Sequence, residues 1–148
     1  MSWFLCTIAR TSVRNWDLCK EVGLWGVSTH AKKTKLARAR EGDRLLVWQS
    51  GKGYIATAAV LGPTRPPASA AEAPWPEGLH RYGLVIPIAV DMELERPLYL
   101  RFEKNIQERT GLSSFQFRRG FVAVRDDAAS AALEAMQGHP TAEADQAS

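Results

Sequence analysis

The run Arg44-Leu45-Leu46-Val47-Trp48-Gln49, then Gly51-Lys52-Gly53, then Tyr54 to Val60 constrains the fold more than any other part of this chain. Two apolar, strand-forming segments flank a short glycine-rich connection. Glycine accepts the positive φ that such a connection needs, so the run predicts a β-hairpin. Glu41-Gly42-Asp43 is a turn signal before it, and Gly62-Pro63 ends it.

The rest of the chain is then read around that hairpin. Ser2 to Ala9, rich in aromatic and branched residues, predicts a buried first strand. Thr11 or Ser12 is placed to cap a following helix, whose pattern ends at Gly23. Pro63 to Glu77 is rich in Pro and Ala and reads as a long surface loop. Trp75, between Pro74 and Pro76, either packs down as an anchor or stays exposed. Tyr82 to Asp91 is a strand in which Pro87 marks an edge or a bulge. A helix is expected around Phe102 to Arg109, then a polar–aromatic alternation from Ser113 to Arg119 and a short strand from Gly120 to Val124. An Ala-rich helix capped by Asp126 or Asp127 runs to about Met136. The order predicts one α+β domain over residues 1–137, built on a curved, mostly antiparallel sheet or open barrel with flanking helices. Residues 138–148 are a small, polar, disordered tail.

Composition narrows the function classes. Nineteen basic and 16 acidic side chains leave a net charge of +3, which permits nucleic acid as a partner without demanding it. Cys6 and Cys19 have no metal-ligand spacing, and His30, His80 and His139 are scattered, so no metal and no cofactor is expected. With only two cysteines, a reducing, cytoplasmic compartment is the expectation. Trp3 to Ile8 is too short to span a membrane, so no membrane partner is expected. Gly51-Lys52-Gly53 is too short to cradle phosphates, and Cys19 reads as a buried thiol rather than a nucleophile.

The stretch Asn15 to Val27 carries the candidate site. Gly23 suits a helix terminus in the left-handed conformation, and Gly26 lets backbone approach another group closely. Trp25 between them projects from a tight, defined backbone, either into the core or as a wall for a flat ligand. The run His30, Lys32, Lys33, Lys35, Arg38, Arg40 is either a solvated face or a set of phosphate contacts.

Asn15-Trp16, Leu24-Trp25-Gly26-Val27, a Lys-rich turn, Gly42-Asp43 before a strand, and the aromatic block Phe115 to Phe121 followed by Val124-Arg125-Asp126-Asp127 together resemble the EVE domain of the PUA-like superfamily and the related YTH domain. The resemblance runs from Trp3 to about Met136 and is strongest over the first sixty residues. It implies a PUA-like open β-barrel and a non-catalytic reader that holds a modified base of RNA or DNA, methylated adenine or cytosine, in an aromatic pocket. It implies Trp25 as the first wall, Asn15 as the base-edge contact and the Gly26 backbone near the exocyclic group, with Trp48 either beside the pocket or in the barrel core. The Tyr82–Asp91 strand offers Ala89 and Val90 where the second YTH wall is expected, so Phe115, Phe117 or Trp16 is assigned that part. Lys32, Lys33, Lys35, Arg38, Arg118 and Arg119 are the expected phosphate contacts. A small-molecule enzyme and a protein-interaction accessory domain are the alternatives, because fold does not fix function.

Overall fold

The computed structural model describes residues 2–12, 14–27, 39–76, 78, 82–99 and 121–140. In chain order these form β1 (Trp3–Ile8), α1 (Asn15–Val22), β2 (Leu24–Val27), β3 (Arg44–Gln49), β4 (Gly53–Val60), a single 3-10 turn (Ala70–Glu72), β5 (Leu84–Leu98), β6 (Phe121–Val124) and α2 (Asp126–Gln137). The strands make one six-stranded sheet in the order β2-β5-β4-β3-β1-β6, curled into an open half-barrel, so the expected α+β fold is the one observed. β1 runs parallel to β3, and the other pairings are antiparallel. Register shifts between Val47 and Trp48, and twice along β4 where it meets β5, supply local twist that curls the sheet.

The continuous apolar run of β1 has a direct cause: both faces of the sheet are covered. Phe4, Cys6 and Ile8 point to the side that packs with Leu45, Val47, Ala56 and Ala58 and with Trp16 and Cys19 of α1. Trp3 and Leu5 point to the other side and meet Leu46, Trp48, Tyr54 and the small face of α2, Ala128, Ala129 and Ala132, with Met136. Alanines let α2 lie close against the sheet. Asp43 fastens the entry to the hairpin, since one carboxylate oxygen accepts the Ser2 amide and the other the Arg40 amide, each at 2.8 Å.

Several local expectations are corrected. Neither Thr11 nor Ser12 caps α1: the N-cap is Arg14, and no side chain bonds there. Leu24–Val27 is a strand, because Gly23 in the left-handed region (φ 69°) turns the chain straight out of α1 and alongside β5. β5 continues past Asp91 to Leu98. Pro87 sits within it at the point where pairing with β2 ends and pairing with β4 begins, so its missing N–H interrupts neither ladder. α2 has Arg125 at its N-cap, with Asp126 and Asp127 in the first turn, where their charge favours the positive end of the helix. Pro140 accepts the Glu95 amide at 3.0 Å, which places residues 138–140 against β5. The helix expected at Phe102–Arg109, the alternation at 113–119 and the end of the tail lie outside the described residues.

Candidate functional site

Among the described residues β2 pairs with β5 alone, so it is an edge strand. Successive strand residues face opposite ways. Trp25, opposite Ile86, and Gly26, opposite Val85, therefore occupy opposite faces of the β2–β5 ribbon. The Gly26 face is filled from outside. A β-carbon on Gly26 would lie 2.7 Å from Cζ3 and 2.9 Å from Cη2 of Trp75, and 2.9 Å from Cδ1 of Tyr82. The indole of Trp75 thus packs against a strand position that only glycine fills without a clash.

The Pro/Ala segment delivers that tryptophan. Arg65 exchanges two backbone hydrogen bonds with Val85, at 2.9 and 2.7 Å, on the flank of β5 opposite to β2. From there the chain arches over the ribbon, makes the 3-10 turn, buries Ala73, and sets Trp75 down on Gly26. Trp75 is 3 % exposed, its ring centroid is 4.9 Å from that of Tyr82, and its indole N–H reaches the Cys19 sulfur. Of the two readings left open by the sequence, Trp75 is the anchor.

Helix α1 closes the free edge of β2. The Gly26 amide also faces the Cys19 sulfur, so the α1 side of β2 is the side away from β5. Burial pushes the Cys19 thiol up to about 12, against the opposing pull of the Trp75 and Gly26 donors, so it stays a protonated thiol near neutral pH. Burial, and then Cys19 itself, raises Cys6 as well. Asn15, at the start of α1 and 8 % exposed, directs Nδ2 to the Tyr82 hydroxyl at 3.5 Å, the long limit of a hydrogen bond. The Trp16 indole N–H is buried in the same cluster without a hydrogen-bond partner among the described residues.

The structure therefore brings together Asn15, Trp16, Trp25 and Gly26. It does not bring Trp48 to them. Trp48 is fully buried on the α2 side of the sheet, edge-on to Tyr54 at 4.9 Å and beside Tyr99 at 5.4 Å. Ala89 and Val90 pair with β4, beyond the part of β5 that runs along β2. Phe115, Phe117, Lys32, Lys33, Lys35, Arg38, Arg118 and Arg119 lie outside the described residues. Trp75 and Tyr82 were not expected at the site. The signal for Trp75 was its setting: one large aromatic pinned between two prolines in a segment of small residues.

No family profile and no curated protein matches this chain. Solved structures do. A hypothetical protein from Leishmania major superposes with a TM-score of 0.68 at 14 % identity, covering 93 % of this chain and 96 % of its own. A protein from Pseudomonas syringae gives 0.65 at 15 % identity, over 91 % and 99 %. A Toxoplasma YTH domain in complex with a 7-mer m6A-modified RNA gives 0.63 at 12 % identity, over 95 % and 94 %. Likeness at these identities speaks to architecture: the chain has the α+β half-barrel fold of YTH domains.

Proposed function

We propose that this protein is a non-catalytic reader of modified nucleobases, an EVE-type relative of the YTH domains. In this reading one base of RNA or DNA, a methylated adenine or cytosine, is held at the outer edge of β2, beside α1. The observation that carries it is the placement of Trp25 and Trp75 on opposite faces of that edge strand, with Gly26 keeping the backbone bare between them. A planar ring laid edge-on to β2 has one indole on each side. The Gly26 N–H faces away from β5 onto the Cys19 sulfur, and in a strand the carbonyl of the same residue points the same way. Asn15 adds an amide that both donates and accepts, enough to read a base edge. Each aromatic face contributes about 1–3 kcal/mol of stacking, and a buried methyl adds about 0.8 kcal/mol, so discrimination by a methyl group is modest and depends on fit. Solved YTH domains of this fold with m6A-modified RNA support a nucleic-acid partner. The basic residues from Lys32 to Arg38, with Arg118 and Arg119, are the phosphate contacts of this reading.

A second reading has an observation in its favour. Trp25 is 5 % exposed, which is the exposure of a core tryptophan. Calorimetric titration with single-stranded RNA and DNA carrying methylated or plain adenine and cytosine separates the two. The parent binds one modified strand in preference, and Trp25→Ala loses that preference by about 1–3 kcal/mol when both are compared well below the mutant's melting temperature. A parent that binds all strands alike returns Trp25 to the core.

A further inference from the structure

Arg65 and Glu72 are not among the residues assigned to the pocket, yet they make a bidentate ion pair in the segment that carries Trp75. The two guanidinium amino groups of Arg65 meet the two carboxylate oxygens of Glu72 at 2.8 and 2.9 Å, and the Ala68 amide donates to the same carboxylate at 2.6 Å. This bidentate geometry ties the first residue of the arch to its 3-10 turn. Pro66, Pro67, Pro74 and Pro76 restrict the backbone on either side. One end of the arch is fixed by the Arg65–Val85 backbone pair and the other by Trp75 on Gly26.

Trp25 and Trp75 are nearly sealed, so a ring reaches the Gly26 face of β2 only when Trp75 leaves it. An arch closed by a brace across its base lifts as a unit rather than residue by residue. We propose that Arg65 and Glu72 are positioning residues of the pocket, and that their pairing sets how often the arch carries Trp75 off Gly26. The consequence for ligand entry rests on the base-reader function proposed above. The opening itself can be measured without a ligand.

Cys19 is the natural reporter, because its sulfur meets the Trp75 indole N–H, while Cys6, on β1 and fully buried, answers only to wider unfolding. Iodoacetamide labelling of the full chain, resolved by peptide mass spectrometry, follows both thiols in one sample. Glu72→Gln keeps the side-chain shape and removes the charge. It is expected to raise the Cys19 labelling rate about two- to fivefold, the size of a well-formed surface pair, with Cys6 unchanged. The swap Arg65→Glu with Glu72→Arg restores the pair but not the acceptor for the Ala68 amide, and is expected to bring Cys19 part of the way back toward the parent rate. Cys19 labelling unchanged in Glu72→Gln, Cys6 rising in step with Cys19, or no rescue by the swap each overturns the proposal. A second arm follows association of the parent's preferred modified strand by stopped flow, where Glu72→Gln is expected to bind faster by a similar factor. A parent that prefers no modified strand defeats the reader function, and the labelling arm still decides the role of the clamp.

Discussion

Substituting Gly26 by Ala tests the central contact of the site with a single methyl group. Gly26 has an ordinary strand φ, since it is absent from the residues with positive φ, so the backbone accepts alanine without penalty. The whole effect is then steric. The new carbon would stand 2.7 and 2.9 Å from two ring atoms of Trp75 and 2.9 Å from one of Tyr82, against the roughly 3.5–4.0 Å at which carbon atoms rest. Relief requires the Trp75 ring to retreat by about 1 Å, although it is fixed by the arch on one side and by the Cys19 sulfur on the other. Overpacking of this kind costs about 1–3 kcal/mol. For a chain of this length that lowers the melting temperature by roughly 3–10 °C. The assay is a double-mutant cycle by urea and thermal denaturation with Trp75→Ala as the second change. Trp75→Ala removes two of the three close contacts and leaves the one to Tyr82, so Gly26→Ala is expected to cost less in that background, with a coupling of about 1–2 kcal/mol. Equal costs in both backgrounds, or a Gly26→Ala protein that melts with the parent, would refute the seating of Trp75 on β2.

Two further outcomes follow from charge. Changing Lys32 and Lys33 together to Ala is expected to weaken oligonucleotide binding about equally for modified and plain strands and to reduce the salt slope by about one unit per lost phosphate contact, measured by fluorescence anisotropy across a salt series; an unchanged slope removes these lysines from the phosphate path. Glu72 is held down at about 2, first by its hydrogen bond from Arg65 and then by the Ala68 amide, below the ordinary carboxylate value it has when unfolded. Its contribution to stability is therefore complete above about pH 5 and is lost as pH falls toward 2, so the gap in melting temperature between parent and Glu72→Gln should close over that window; a gap that stays constant through it would show that the charge of Glu72 does not brace the arch.

Local chemistry made much of the architecture legible. The β3–β4 hairpin, the β1 strand, the left-handed Gly23 at the end of α1 and the Ala-rich α2 each follow from residues within a few positions of one another, and a short-range pattern suffices to find them. The same patterns fell short where a second segment decided the outcome. β2 is only four residues long, and it is a strand because β5 offers it a partner from sixty positions away. The missing caps on both helices show the same limit, since the backbone found its terminal conformation without the side chains placed to serve it. Trp48 and Trp25 look alike in the sequence, each a tryptophan in an apolar run. The pleat and the placement of α2 put Trp48 in the second core, while β2 places Trp25 in the first core, beside the strand edge that α1 covers. Trp75 was visible as an aromatic between two prolines, but its destination was not. That depended on an arch crossing β5, on a glycine with room for an indole, and on a sulfur from α1. Sequence by itself determined the fold class and one face of the candidate site. The opposing face was decided by tertiary structure, because the groups that hold Trp75 come from β2, β5 and α1, and only the folded sheet sets them side by side.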